Sequence, residues 1–126
     1  MQVKRVEGSL DLFEDEPIGS SRHGPVYRWR VRLEPAEMLP KWPTLFYESS
    51  LTFSRLPHAL KGLRLLTGSI VEFDSPEDDV DEWLHALDAI IEDTNKRYGP
   101  LAAEEERRAT ARRQEAQRLR EKFKAR

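Results

Sequence analysis

The sequence predicts an α+β fold: a small antiparallel sheet of three to five strands packed against one amphipathic helix, followed by a long charged C-terminal helix. Three observations carry that prediction. Between Val26 and Leu33, apolar and basic residues alternate strictly, the period of a strand with one buried face. Between Pro76 and Tyr98, apolar residues recur mostly at three- and four-residue steps, the period of a helix with one buried stripe. From Leu101 to Lys124 the chain is dominated by Ala, Glu, Arg, Gln, Lys and Leu, with no Gly or Pro, which is helical by propensity. The predicted division places an α+β domain at residues 1–99 and a charged helical extension at residues 100–126.

Taken in order, Gln2 to Glu7 reads as a short first strand carrying Val3 and Val6. Gly8 to Gly24 is dense in turn-forming residues and reads as loop, with Leu10, Leu12 and Phe13 able to anchor it or add a short strand. In the strand Val26 to Leu33, Tyr27, Trp29, Val31 and Leu33 share one face, and Arg28, Arg30 and Arg32 share the other. Thr44 to Phe53 repeats the alternation, with Leu45, Tyr47, Leu51 and Phe53 opposing Glu48, Ser50 and Thr52. The two strands are expected to pair antiparallel, because the prolines of Glu34 to Pro43 cannot donate to a ladder and belong in the connection. That pairing brings Arg30 near Glu48.

Arg55 to Thr67 is compatible with a short helix starting near Pro57 or with a hairpin through Thr67-Gly68, and Ser69 to Phe73 with a short buried strand. For the helix that follows, Ser75 is the expected N-cap and Pro76 suits the first turn. Glu77 and Asp78 favour the positive end of its dipole. Its stripe is Val80, Trp83, Leu84, Leu87, Ile90, Ile91 and Tyr98, and Gly99-Pro100 is the expected stop. The stripe of the last helix is thin: Leu101, Ala109, Ala116, Leu119 and Phe123, interrupted by Glu105 and Arg112.

With 126 residues, 38% hydrophobic and 35% charged, the chain has the size of one ordinary domain. Its three Trp, three Tyr and five Phe suffice for one core. The absence of cysteine excludes disulfides, thiolate metal sites and a cysteine nucleophile. Lys4, Arg5 and Glu7 leave no signal-peptide core near Met1, and no apolar run approaches the roughly 20 residues of a membrane span. A cytoplasmic protein without membrane contact is expected. The net charge of −2 hides strong local fields: −10 over residues 72–93 and +7 over residues 107–126.

Arg22-His23-Gly24 resembles the tripeptide that opens the active site of the histidine phosphatases, in which the His takes the phosphoryl group. There it follows an apolar strand; here it follows Gly19-Ser20-Ser21 and runs into Pro25. The resemblance covers three residues and implies neither the family's fold nor its activity for this chain. A Gly-flanked loop with Ser20, Ser21, Arg22 and His23 could hold an anion through backbone N–H groups, but a solvated turn is the simpler reading. Asp81, His85 and Asp88 share a helix face at metal-ligand spacing, yet that face lies opposite the apolar stripe and lacks a second cluster. The acids of Asp74 to Glu82 lack the alternating ligands and central Gly of a calcium loop.

Two features remain as candidate interaction or phosphate-binding residues. One is the ladder Arg28, Arg30 and Arg32, a sheet face that acids on neighbouring strands would balance. The other is the basic tail: Arg112, Arg113, Arg118, Arg120, Lys122 and Lys124. Neither carries catalytic chemistry, a cofactor or a small-molecule ligand. The expectation is therefore a non-enzymatic protein-interaction module, acting by partner binding or self-association through its tail and sheet face. The alternative is a nucleic-acid-binding accessory protein using the ladder and the tail.

Overall fold

The computed structural model describes residues 2–35, 41–52, 63–67 and 69–124. It divides into two compact units, Met1–Asn95 and Lys96–Arg126. The fold class is α+β as the sequence predicts, but among the described residues the sheet has six strands rather than three to five. They are β1 Lys4–Arg5, β2 Asp11–Leu12, β3 Gly19–Ser21, β4 Gly24–Glu34, β5 Arg64–Leu66 and β6 Ile70–Pro76. All pairings are antiparallel. Helix α1 spans Trp42–Thr52, a 3-10 turn spans Glu77–Asp79, and helix α2 spans Val80–Phe123.

The long strand β4 organises the sheet. One of its edges pairs with β6 from Val26↔Pro76 to Arg32↔Ile70. The other takes three short strands in series: β3 at Val26–Gly24, β2 at Arg30–Trp29 and β1 at Glu34–Leu33. The Gly8 to Gly24 region thus contributes two strands where composition suggested mostly loop. The signal was weak because each is only two or three residues long. Gly24 closes the β3–β4 turn at φ +111°, a conformation side-chain-bearing residues rarely adopt.

One face of the sheet carries the core. Val31, Leu33, Val71 and Phe73 are buried with Val80, Trp83, Leu87, Ile90 and Ile91 of α2. Phe73 and Trp83 stack with ring centroids 5.3 Å apart. Trp83 is 2% exposed, as its place in the helical stripe predicts. A single polar side chain ties three elements together here. The Asn95 amide accepts from the Val3 N–H at 3.2 Å and donates to the Val3 carbonyl at 2.8 Å. Its oxygen also accepts from Trp42 Nε1 at 3.1 Å.

Four expectations are corrected. Thr44 to Phe53 is not a strand: Trp42–Thr52 is α1, and its buried residues Trp42, Leu45, Phe46, Ser49 and Ser50 follow the 3.6-residue period. The alternating set was misleading because Tyr47 and Leu51 are 65% and 55% exposed. The inward Ser50 is satisfied locally, its Oγ donating to the Tyr47 carbonyl at 2.6 Å. The neighbour of β4 is accordingly β6, and Arg30 faces Glu72 rather than Glu48.

Ser75 is not an N-cap either. It lies within β6 opposite Tyr27, and its hydroxyl donates to the Pro76 carbonyl at 2.7 Å. Nor does Gly99-Pro100 stop the helix. A helix stop of this kind needs a left-handed residue, and Gly99 is not among the positive-φ residues. Pro100 removes one N–H from the ladder, opposite the Lys96 carbonyl, and α2 continues to Phe123. For Arg55 to Thr67, the hairpin reading describes Arg64–Leu66, which pairs with β6 across a turn. The helix near Pro57, like Phe53, lies outside the described residues. No helix among the described residues is long and apolar enough to cross a membrane.

Candidate interaction surface

The sheet face opposite the core presents the arginine ladder. Alternation along β4 puts Arg28, Arg30 and Arg32 on this face, and alternation along β6 puts Glu72 and Asp74 beside them, since Val71 and Phe73 point inward. Strand β5 adds Arg64 from the far side of β6, in register with Glu72. The acids therefore sit between the arginine row of β4 and the single guanidinium of Arg64.

The geometry is close throughout. Glu72 accepts from Arg30 Nε at 2.8 Å and from Arg64 Nε at 2.9 Å, with Arg28 Nε at 3.7 Å. Asp74 accepts from Arg28 Nε at 3.1 Å and from an Arg64 terminal nitrogen at 3.2 Å. The Arg30 guanidinium also lies 3.5 Å from the centroid of the Phe13 ring. Glu72 is the hub, with only 7% of its side chain exposed. Burial alone would push its carboxyl up, but the hydrogen bonds and charges of Arg30 and Arg64 outweigh it and hold the carboxyl below its usual range. The hydrogen bond to Asp74, with the attraction of that charge, raises Arg28.

This arrangement decides what the ladder can do. A phosphate approaching Arg28 or Arg30 has to compete with carboxylates already in place, and stripping Glu72 of its partners leaves a buried charge uncompensated. Arg32 differs: it is exposed and has no ion-pair partner among the described residues. Arg64, Glu72 and Asp74 were not among the predicted site residues. Alternation alone could have found the two acids, because Glu72-Phe73-Asp74 fits a strand with its acids outward.

The other predicted sites are held in ordinary contacts. His23 occupies the β3–β4 turn, with Nδ1 3.1 Å from the Asp79 carboxylate oxygen Oδ2. Asp88 receives Arg5 through two bonds of 2.7 and 2.9 Å, while Asp81 and His85 are exposed. Among the described residues no group of His, Cys, Asp and Glu is arranged to hold a metal ion.

In the second unit, no residue from Lys96 to Lys124 is buried. Its helix is laced with local pairs. Glu104 binds Arg107, and also Arg108 at 3.2 Å; Glu115 binds Arg118 at 2.7 Å; and Glu106 meets Arg113 at 3.2 Å. Among the basic residues singled out from the sequence, Arg113 and Arg118 are thus paired. Arg112, Arg120, Lys122 and Lys124 have no ion-pair partner among the described residues. At about 100° per residue, the cations from Arg107 to Lys124 point to all sides of the helix, whereas Ala102, Ala109, Ala116, Leu119 and Phe123 keep within an arc of about 100°. A shallow groove of about 520 Å³ follows this arc, lined by Ala109, Arg112, Arg113, Ala116, Gln117 and Arg120.

These features define a small α+β domain with an internally paired sheet face, together with a helical unit that carries Leu101, Leu119 and Phe123 exposed. No protein-family model matches the chain, and no curated protein or solved structure is significantly similar to it.

Proposed function

We propose that the chain is a non-enzymatic protein-interaction module whose contact surface is the helix of its second unit. One observation supports this most: no residue of the helix from Lys96 to Phe123 is buried, yet it carries Leu101, Leu119 and Phe123 exposed. Helices take most of their stability from packing, and local ion pairs add only about 0.2–0.5 kcal/mol each. An ordered helix of this composition calls for a surface to cover it. The nucleic-acid alternative fits less well. A helix lying on a duplex gathers its cations on one side, and these are spread around the axis, while the guanidinium groups of Arg28 and Arg30 already hold carboxylates.

Amide hydrogen exchange on the full chain tests the reading. The measurements compare dilute protein, concentrated protein, added polyglutamate and added duplex DNA. The expected result is protection of the amides from Ala102 to Phe123 by concentration or by the acidic polypeptide, lost in Leu119→Asp/Phe123→Asp. Protection by DNA alone, with a steep salt dependence, would replace this reading with the alternative. No protection under any condition overturns both.

A further inference from the structure

Resting on that interaction reading, we infer that the partner of this helix is a second copy of the chain, bound antiparallel through the seam of Ala102, Ala109, Ala116 and Phe123. These four residues repeat every seven positions, the spacing of one seam in a two-helix coiled coil. Tyr98, Glu105, Arg112 and Leu119 repeat at the same interval, each three residues on from a position of the first row or its extension. A strict seven-residue repeat drifts by about 20° per heptad on a straight helix and is kept in contact by supercoiling around a partner. Ala109, Arg112, Arg113 and Ala116 form the four-cornered hole that receives a knob, and they line the groove described above.

The charges choose the second copy and the direction. In a parallel pair, like residues meet: Glu105 faces Glu105 and Arg112 faces Arg112, and Arg108 lies across from Arg113 on the flank. In an antiparallel pair that matches the two rows, Ala102 meets Leu119, Ala109 meets Arg112, Glu105 meets Ala116 and Tyr98 meets Phe123. The flanking positions then set Glu106 of one copy beside Arg113 of the other, and Arg108 beside Glu115. Each contact occurs twice by symmetry. The small alanines let the two backbones approach. The arginine and glutamate stems of the inner row cover apolar surface while their heads reach solvent. The acidic stretch from Glu77 to Asp93 is a poorer receptor, because its helix has already turned its apolar stripe inward.

The test is the mass of the full chain by sedimentation over a concentration series, for wild type, Arg113→Glu, Glu106→Arg and the double exchange. The expected result is a reversible dimer. Each single variant weakens it about tenfold, because two attractive contacts become repulsive, and the double exchange restores it. An acidic partner or nucleic acid reads net charge instead, so Glu106→Arg would tighten such binding. Strengthening by Arg113→Glu overturns the antiparallel arrangement, since it relieves the Arg108–Arg113 clash of a parallel pair. A chain that stays monomeric throughout overturns self-pairing. If its tail amides are nevertheless protected by polyglutamate, the interaction reading stands without it.

Discussion

Trp83 and Phe123 are large aromatic residues on one helix, yet Trp83 is 2% exposed and Phe123 is 47% exposed. The segment around Trp83 has apolar neighbours on both sides of its stripe and packs on Phe73. The segment around Phe123 has Ala109, Ala116 and Leu119 on its stripe and charge nearly everywhere else. The first is helical because a sheet covers it; the second has only propensity and weak local pairs among the described residues to hold it. The same secondary structure thus has two origins, and the two regions should respond differently to every perturbation.

Trp83→Ala is expected to give the largest effect, a loss of about 3–5 kcal/mol of unfolding free energy in urea titration. A loss below about 1 kcal/mol would mean that the Phe73–Trp83 stack does not define the core. Trp83 Nε1 has no hydrogen-bond partner among the described residues, so Trp83→Phe should cost much less than Trp83→Ala.

Glu72→Ala comes next, at about 1.5–3 kcal/mol, because it leaves Arg28, Arg30 and Arg64 around an emptied hub. The same residue sets an acid dependence. Its carboxyl is lowered in the folded state, so its contribution is complete above the ordinary value of 4.5 and is lost as pH falls through the lowered one. Thermal melts of wild type should therefore fall more steeply below about pH 5 than those of Glu72→Gln. Equal slopes would assign the acid sensitivity to other carboxylates.

Phe123→Ala should have the smallest effect, within about 0.5 kcal/mol for dilute protein, since an exposed side chain loses little on truncation. A drop comparable to that of Trp83→Ala would merge the two regions into one cooperative core and remove the contrast between them.

How far these regions were legible in the sequence follows from how local their signals are. The stripe of α2 and the alternation of β4 are single-element patterns, and both appear where the periodicities place them. α1 was misread because Tyr47 and Leu51 lie on its solvent side while serines face inward, which mimics a strand. The short strands β2 and β3 owe their conformation to a neighbour, β4, and so leave little trace in their own residues. The arginine ladder was visible, and the expectation that neighbouring acids balance it identified the right chemistry with the wrong partner. Assigning Arg30 to Glu72 requires knowing that β6 is the adjacent strand, a fact of topology rather than of composition.

The grip of Asn95 on Val3 has a kinetic consequence. It joins residues 92 positions apart, so the start of the chain, besides its pairing with β4, is tied to the last turn of helix inside the unit. Closing a flexible loop of that length costs about 4 kcal/mol of chain entropy before the contact that closes it is rewarded. Contacts of such high sequence separation slow folding, and they also make it all-or-none. A chain cut anywhere between these two residues has the same grip to close without the intervening connection, and no fragment keeps both sides of it. Residues 3–95 should accordingly appear and disappear in one transition, with β1 and the end of this helical segment gaining hydrogen-exchange protection together.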